Sequence, residues 1–477
     1  MTLAAAEDAP IKPAAAPLSR TVAAGKRLDA LTGLRFFAAF FILFSHASEW
    51  VAPFRNSDAI AHYGGAPSIY GMPLFFVLSG FVIQYNYGSL FESMRFRWAA
   101  VEFIGARFAR LYPLFICFFA VGLIVDFTIT WLGHHPGWWI RMFLHYVTMT
   151  QSWFYMIIFE DRMIMNNAFG LAWSISTEFF FYICFLSLVF FTLRIKNWGS
   201  CLAIMIIFSA TILYMLIKAN AHLPIIENIG RDHIENFVTA SEKWSDSFLR
   251  WLFYYSPYAR VFEFILGCLT ARLYFLLADT PVCAQEAFAG KVAQVVAFLW
   301  LLFFGFATTF NGPTSVIASY ANFLALNFGC AVPIAVTIFC VSRYQNWLST
   351  FLGSASLVAL GEISYSIYVV HTWTLRIFIR DPVDFSKANA LDAVIRIGLG
   401  IALTLILATA TYRLIEMPGR RWLRSLSGRA LIQVFGAREA NVAGIDSRSA
   451  VLRAFAAVSG IVLLLAACVA YQLSYSK

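Results

Sequence analysis

The sequence predicts an all-α fold, a polytopic bundle of about eleven transmembrane helices. Of its 477 residues, 60% are hydrophobic and 13% charged, with a mean hydropathy of +0.71. Such values belong to a chain dissolved in a bilayer rather than to two or three soluble domains. Apolar runs long enough to cross about 30 Å of hydrocarbon, at about 1.5 Å per residue, recur along the chain. Basic residues gather in alternate loops, as membrane insertion requires.

The runs lie near 31–49, 71–89, 111–132, 170–192, 201–217, 257–277, 292–310, 318–341, 355–378, 393–415 and 451–472. Residues 1–27 are rich in Ala, Pro and charge and lack the apolar core and small-residue cleavage site of a signal peptide, so they read as a disordered cytoplasmic tail. Residues 138–160 hold Trp138, Trp139, Trp153 and Tyr155 between polar groups, and read as an interfacial segment. The stretch 218–256 is the longest external segment and can cap the outer face or rim an acceptor site.

With the N-terminus inside, cytoplasmic loops hold roughly 21 Lys and Arg against roughly 12 outside. Arg95, Arg97, Arg107 and Arg110 after the second span, and the arginines from Arg413 to Arg453 before the last, dominate the difference. This also accounts for the net charge of +9, since no basic stripe, zinc-ligand spacing or RNA-binding signature points to nucleic acid. Eleven spans place Lys477 outside. None of the eight cysteines forms a CxxC pair, and seven sit in apolar runs as small packing residues, so neither a disulfide framework nor a metal site is expected.

A charge inside a span is costly unless it is paired or faces a wet cavity, so the few present are informative. In the first span Arg35 and His46 are eleven residues apart, which returns them to within about 20° of one helical face with a rise of roughly 16 Å. Arg35 then lies toward the cytoplasm and His46 in the outer half. Ser79 and Gly80 sit in the middle of the second span, where small residues allow close backbone approach; a helix-packing groove is the plainer reading. Arg107 and Arg110 share a helical face just before Pro113 opens the third span, where they can grip phosphate or simply anchor the loop inside. The fourth span begins AWSISTEFFFY, which places Glu178 about one turn and a half inside its outer boundary. Arg260 and Glu263, three apart on one face, are able to satisfy each other. His371 falls in the outer half of the ninth span. Arg35, Arg107 and Arg110 thus sort to the cytoplasmic side, and His46, Glu178, Arg260, Glu263 and His371 to the outer side. A transferase with a phosphate-bearing donor inside and a hydroxyl acceptor outside needs such a division.

The segments GLRFFAAFFILFSH, FFVLSGF, RFARLYP, WSISTEFFFY, PYARVFEFILG, SYSIYVVH and YRLIEMP, in this order between about 28 and 418, resemble the acyltransferase 3 family of membrane acyltransferases. The resemblance implies a ten-helix domain over residues 28–418 in the bacterial inner membrane, followed here by a basic cytoplasmic loop, 419–450, and an additional helix in 451–477. It implies transfer of an acyl group, typically acetyl from acetyl-CoA or another acyl-CoA, to a saccharide, polysaccharide or glycolipid. His46 matches the essential histidine, Arg35 its partner, and Arg107 with Arg110 the donor-binding pair, while Ser79, Gly80 and Phe81 lie along the donor path. No segment within residues 419–477 is expected to form the extracytoplasmic SGNH-type domain often fused to the family.

On this reading His46 is the general base, Glu178 or Glu263 orients its imidazole and Arg260 offsets developing negative charge, with His371 beside them. A variant in which His46 itself carries the acyl group is also open. The rival from another class is a proton-coupled secondary transporter exporting a lipid-linked sugar through a relay of His46, Glu178 and His371, although no inverted repeat is evident.

Overall fold

A computed structural model of the chain describes residues 21–130, 136–158, 162–167, 169–310, 316–380 and 388–425. It begins with α1 (Thr21–Trp50), α2 (Asp58–Gly65), α3 (Ser68–Tyr87), α4 (Leu90–Ser93), α5 (Phe96–Thr130) and α6 (Pro136–Val147), then a small antiparallel hairpin, β1 (Ile157–Ile158) and β2 (Arg162–Met163). There follow α7 (Ala172–Arg194), α8 (Trp198–Ala221), α9 (Leu223–His233), α10 (Phe248–Arg250), α11 (Pro257–Leu277) and α12 (Ala284–Phe310). The rest comprises α13 (Val316–Leu326), α14 (Ala331–Arg343), α15 (Trp347–Leu352), α16 (Ala355–Glu362), α17 (Ser364–Leu375) and α18 (Ala390–Thr411).

The chain is an all-α polytopic bundle, and each expected span up to 393–415 falls on helix. The eleventh span, most of the basic loop before it and residues 1–20 of the tail lie outside the described residues; α1 starts at Thr21, within the stretch read as tail. Among the described residues, seven helical stretches are long and apolar enough to cross a membrane, and α13 with α14, bent by 49° at their junction, makes an eighth. The other two expected spans depart from that pattern for physical reasons. Arg260, Glu263 and Arg272 interrupt the apolar run of α11, a helix buried among its neighbours, and the 355–378 run is broken into α16 and α17 at Ile363.

Pro113 does not open the third span. It lies inside α5, which starts at Phe96, so Arg107 and Arg110 belong to the same helix as the span. The missing N–H of Pro113 forfeits one bond to Ala109, a loss a long helix tolerates. The aromatic segment, over its described residues 138–158, is no span, as expected, and folds onto the bundle as a cap: α6 leads into a turn whose Trp153 donates from Nε1 to the Ser176 carbonyl at 3.2 Å. Asp246 ties this cap to the 218–256 segment by accepting from the Met163 N–H at 2.9 Å and the Asn166 amide at 2.7 Å.

Aromatic packing of Phe76, Phe103, Phe181, Phe185 and Phe264 fills the space between α3, α5, α7 and α11. The backbones of α3 and α11 touch at Gly80 and Gly267: a Cβ at Gly80 would collide with the Phe264 carbonyl, and one at Gly267 with that of Val77. The outer faces of α8 and α12 expose Ile206, Ile207, Phe298 and Phe306, as lipid contact requires.

Candidate active site

α1 and α17 bring two histidines together. Close packing fixes the depth of α1, because Gly33 rests on the Leu352 carbonyl and Gly361 on that of Thr32, with no room for a Cβ at either. Nδ1 of His46 then lies 2.9 Å from Nε2 of His371, with the rings stacked at 5.2 Å between centroids and 22° between planes. His371 is fully buried, and its Nδ1 donates to the Tyr368 carbonyl at 2.7 Å.

These contacts determine the protons. A carbonyl only accepts, so Nδ1 of His371 carries the hydrogen, and in a neutral ring its Nε2 is the acceptor. The 2.9 Å contact must therefore be donated by Nδ1–H of His46. That leaves the lone pair of His46 on Nε2, which has no hydrogen-bond partner among the described residues. His46 is thus held in the tautomer able to take a proton at Nε2.

A second centre lies toward the other end of α1. Arg35, Ser79, Arg107, Arg110 and Glu178 line an open cavity with about 730 Å³ of space not filled by atoms. Arg107 donates to the Tyr87 hydroxyl at 2.9 Å, and its guanidinium sits 4.7 Å from that ring and 6.0 Å from the Tyr182 ring. Arg35 and Arg110 make no hydrogen bond or ion pair among the described residues, so two guanidiniums face the cavity with their donors uncommitted. Glu178 Oε1 accepts from Ser79 at 2.9 Å and from Tyr182 at 2.7 Å. Phe75 and Tyr368, whose rings meet at 5.7 Å, are also among the residues that line the cavity, and Tyr368 lies 5.8 Å from the His371 ring.

The expected sorting of charges needs three corrections. Glu178 joins the arginine cavity rather than the outer set, because its carboxylate turns toward the guanidiniums and hydroxyls that stabilise it in a low dielectric. Neither Glu178 nor Glu263 orients His46; His371 does. Arg260 and Glu263 form a third centre, a fully buried ion pair at 3.2 Å. Arg260 also donates to the Leu326 and Asn327 carbonyls at 2.5 and 3.2 Å, which the break between α13 and α14 leaves without helical partners. It holds the bend together. Gly80 and Phe81 do not line the cavity: Gly80 is the α3–α11 contact, and Phe81 packs against Tyr85 and Tyr274. Ser79, one residue away, does line it.

Sequence reasoning missed the phenols Tyr87, Tyr182, Tyr365 and Tyr368, and also Glu416. Glu416 is buried, accepts from Ser366 at 2.8 Å, and is one of the charges that act on Arg35. An acid in the apolar YRLIEMP run was a readable signal. The phenols gave none, because tyrosine is common in any aromatic bundle. Among the described residues no group of three or more His, Cys, Asp or Glu is placed to hold a metal ion.

The chain is 26% identical over 365 residues to the acyltransferase MdmB of Streptomyces mycarofaciens, a match covering 73% of this chain and 79% of that protein. It is 36% identical over 110 residues to protein 2 in the picA locus of Rhizobium radiobacter, covering 20% of this chain and 51% of that protein. No solved structure matches. Residues 28–413 match the model of the acyltransferase domain, a stretch that takes in both histidines and all three cavity arginines. The chain therefore belongs to the acyltransferase 3 family and is a membrane acyltransferase.

Proposed function

We propose that the protein transfers an acyl group, acetyl in the first instance, from acyl-CoA on the cytoplasmic side of a bacterial inner membrane to a hydroxyl of a saccharide or glycolipid on the periplasmic side, with the N-terminus cytoplasmic and Lys477 periplasmic. One observation carries this reading: a single helix, α1, joins a cavity holding uncommitted guanidiniums to a histidine whose free nitrogen is fixed by its partner. The rise between Arg35 and His46 is roughly 16 Å. A donor with phosphates at one end and a thioester at the other suits that separation.

Arg35, Arg107 and Arg110 hold the phosphates through charge-assisted bonds. Nε2 of His46 takes the proton of the acceptor hydroxyl as its oxygen bonds to the thioester carbonyl carbon. The C–S bond breaks, and His46 returns the proton to the leaving thiolate. His371 is a positioning residue: its Nε2 accepts from Nδ1–H of His46 throughout and stabilises the imidazolium that forms. The thioester reaches His46 past Phe75 and Tyr368, which line the cavity, Tyr368 lying beside the His371 ring. The transporter reading loses support, because Glu178 is bonded to Ser79 and Tyr182 rather than joined to the histidines in a relay.

The test uses membranes containing the protein, labelled acetyl-CoA and endogenous acceptors. His46-dependent incorporation of label into a glycan or glycolipid fraction is expected. Label that appears at the same rate with His46→Ala, in an equally abundant protein, would overturn the proposal.

A further inference from the structure

We infer that a second cavity, at the His46 end of the bundle, binds a glycosyl ring of the acceptor; the inference rests on the acyl-transfer reading above. This cavity lies between α13 and the cap formed by α9 and α10, with about 850 Å³ of space not filled by atoms. Its place at that end follows from α2, which succeeds α1 in the chain and meets the last turn of α12 through His62 Nε2 and the Thr309 carbonyl at 2.8 Å.

Its walls have a chemistry suited to a hydroxylated ring. Trp244, Tyr254 and Phe323 supply aromatic surface. Arg250 stacks on Tyr254 at 3.8 Å and lies 5.7 Å from the Trp244 ring, so its guanidinium is positioned while its Nε has no partner among the described residues. Asn327 is 4% exposed; its amide nitrogen donates to the Phe323 carbonyl at 2.6 Å, but its Oδ1 is buried without a donor. Asn220 Oδ1 is buried and unpartnered in the same way.

The amide side chains of Asn220, Asn322 and Asn327 stand among aromatic rings along this wall, and amides suit a ligand that both donates and accepts hydrogen bonds. A hydrocarbon chain would leave the amide and guanidinium groups of this wall without partners. A pyranose presents apolar C–H faces to aromatic rings and donates from its rim, and so satisfies both kinds of wall. The site lies toward the same end of α1 as the reacting histidine: Arg250 in its wall acts electrostatically on Glu49, one helical turn beyond His46. The Arg260 bonds to Leu326 and Asn327 hold the bend that shapes the cavity wall.

The test is photolabelling of the full-length protein in nanodiscs with alkyl β-glycosides carrying a diazirine, in gluco, galacto and N-acetylglucosaminyl forms, followed by peptide mapping. At least one form should label residues within 244–254 and 318–327, and the matching methyl glycoside should compete. Ser319→Trp, which fills the cavity, and Asn327→Leu should each cut that labelling by about tenfold, with coenzyme A binding unchanged as the control for folding. Labelling elsewhere, no competition by excess methyl glycoside, or unchanged labelling in variants that bind coenzyme A normally would overturn the site. Competed labelling here in a protein that transfers no acyl group would support the site and overturn the acyl-transfer reading instead.

Discussion

Nε2 of His371 accepts from Nδ1–H of His46 at 2.9 Å while its own Nδ1–H is committed to the Tyr368 carbonyl at 2.7 Å. A backbone carbonyl on α17 thus fixes, through one imidazole, which nitrogen of the other is basic. His371→Phe should therefore lower kcat by roughly 10²-fold or more, within the range for general-base catalysis, with little change in the KM of either substrate. His371→Gln, whose amide oxygen can still accept from His46, should recover part of that loss. Steady-state kinetics on both variants checks this, and equal losses would reduce His371 to a packing role.

The cavity arginines should divide by their present commitments. Arg35→Ala and Arg110→Ala each remove an uncommitted guanidinium and should weaken coenzyme A binding by about 1.5–3 kcal/mol, the range for hydrogen bonds to charged groups. Arg107→Ala should also lower thermal stability, since it strips the Tyr87 hydroxyl of its donor and empties the space beside the ring. Calorimetry and melting curves in nanodiscs separate the two effects. Unaltered coenzyme A binding by an Arg35, Arg110 double variant would return both residues to topological anchoring.

Much of this was legible in sequence, and the omissions have physical causes. Spans up to 393–415 could be read because a helix crossing hydrocarbon needs about 20 mostly apolar residues, a condition written locally in the chain. Pro113 misled because proline is ordinarily a helix starter, whereas inside α5 its neighbours absorb the lost bond. That His46 and His371 fall at one level of the bundle was readable from the alternation of spans, but their contact joins residues 325 apart and depends on glycine-mediated packing of α1. Glu178 was misplaced because depth alone does not say which way a side chain turns; three guanidiniums and a serine decided that. The extra helix expected at 451–472 lies outside the described residues.

Gly80 offers a direct contrast between packing and the donor path. Gly80→Val should destabilise the bundle by about 1–3 kcal/mol, as for other over-packed contacts, because its Cβ would press on the Phe264 carbonyl of α11. The folded fraction should bind coenzyme A with wild-type affinity. A large loss of affinity at unchanged melting temperature would restore Gly80 to the donor path.

The Arg260–Glu263 pair should behave as structure. Removing one partner strands a buried charge, so Arg260→Met alone should cost about 3–5 kcal/mol, whereas Arg260→Met with Glu263→Leu should recover most of it. The recovery has a ceiling, because the Leu326 and Asn327 carbonyls still lose their donor. A double variant with full stability and no transfer activity would instead assign the pair to catalysis.

On the proposed mechanism, α1 sets the sidedness of the reaction. Arg35 and His46 share a helical face with a rise of roughly 16 Å between them, about half the thickness of the hydrocarbon core. If the uncommitted arginines receive the phosphates and Nε2 of His46 meets the hydroxyl, one donor molecule must bridge that depth while the acceptor enters from the opposite side. In proteoliposomes of fixed orientation, acyl-CoA supplied only to the Arg35 side should acylate an impermeant saccharide confined to the His46 side. His46→Ala should abolish that product, and Phe75→Ala, which widens the cavity beside Tyr368, should leave it intact. The competing arrangement has both substrates arriving at the arginine cavity and the product flipped afterwards by another protein. Product formed only when donor and acceptor share the Arg35 side would establish that arrangement and exclude transfer across the membrane, whatever the roles of the individual residues.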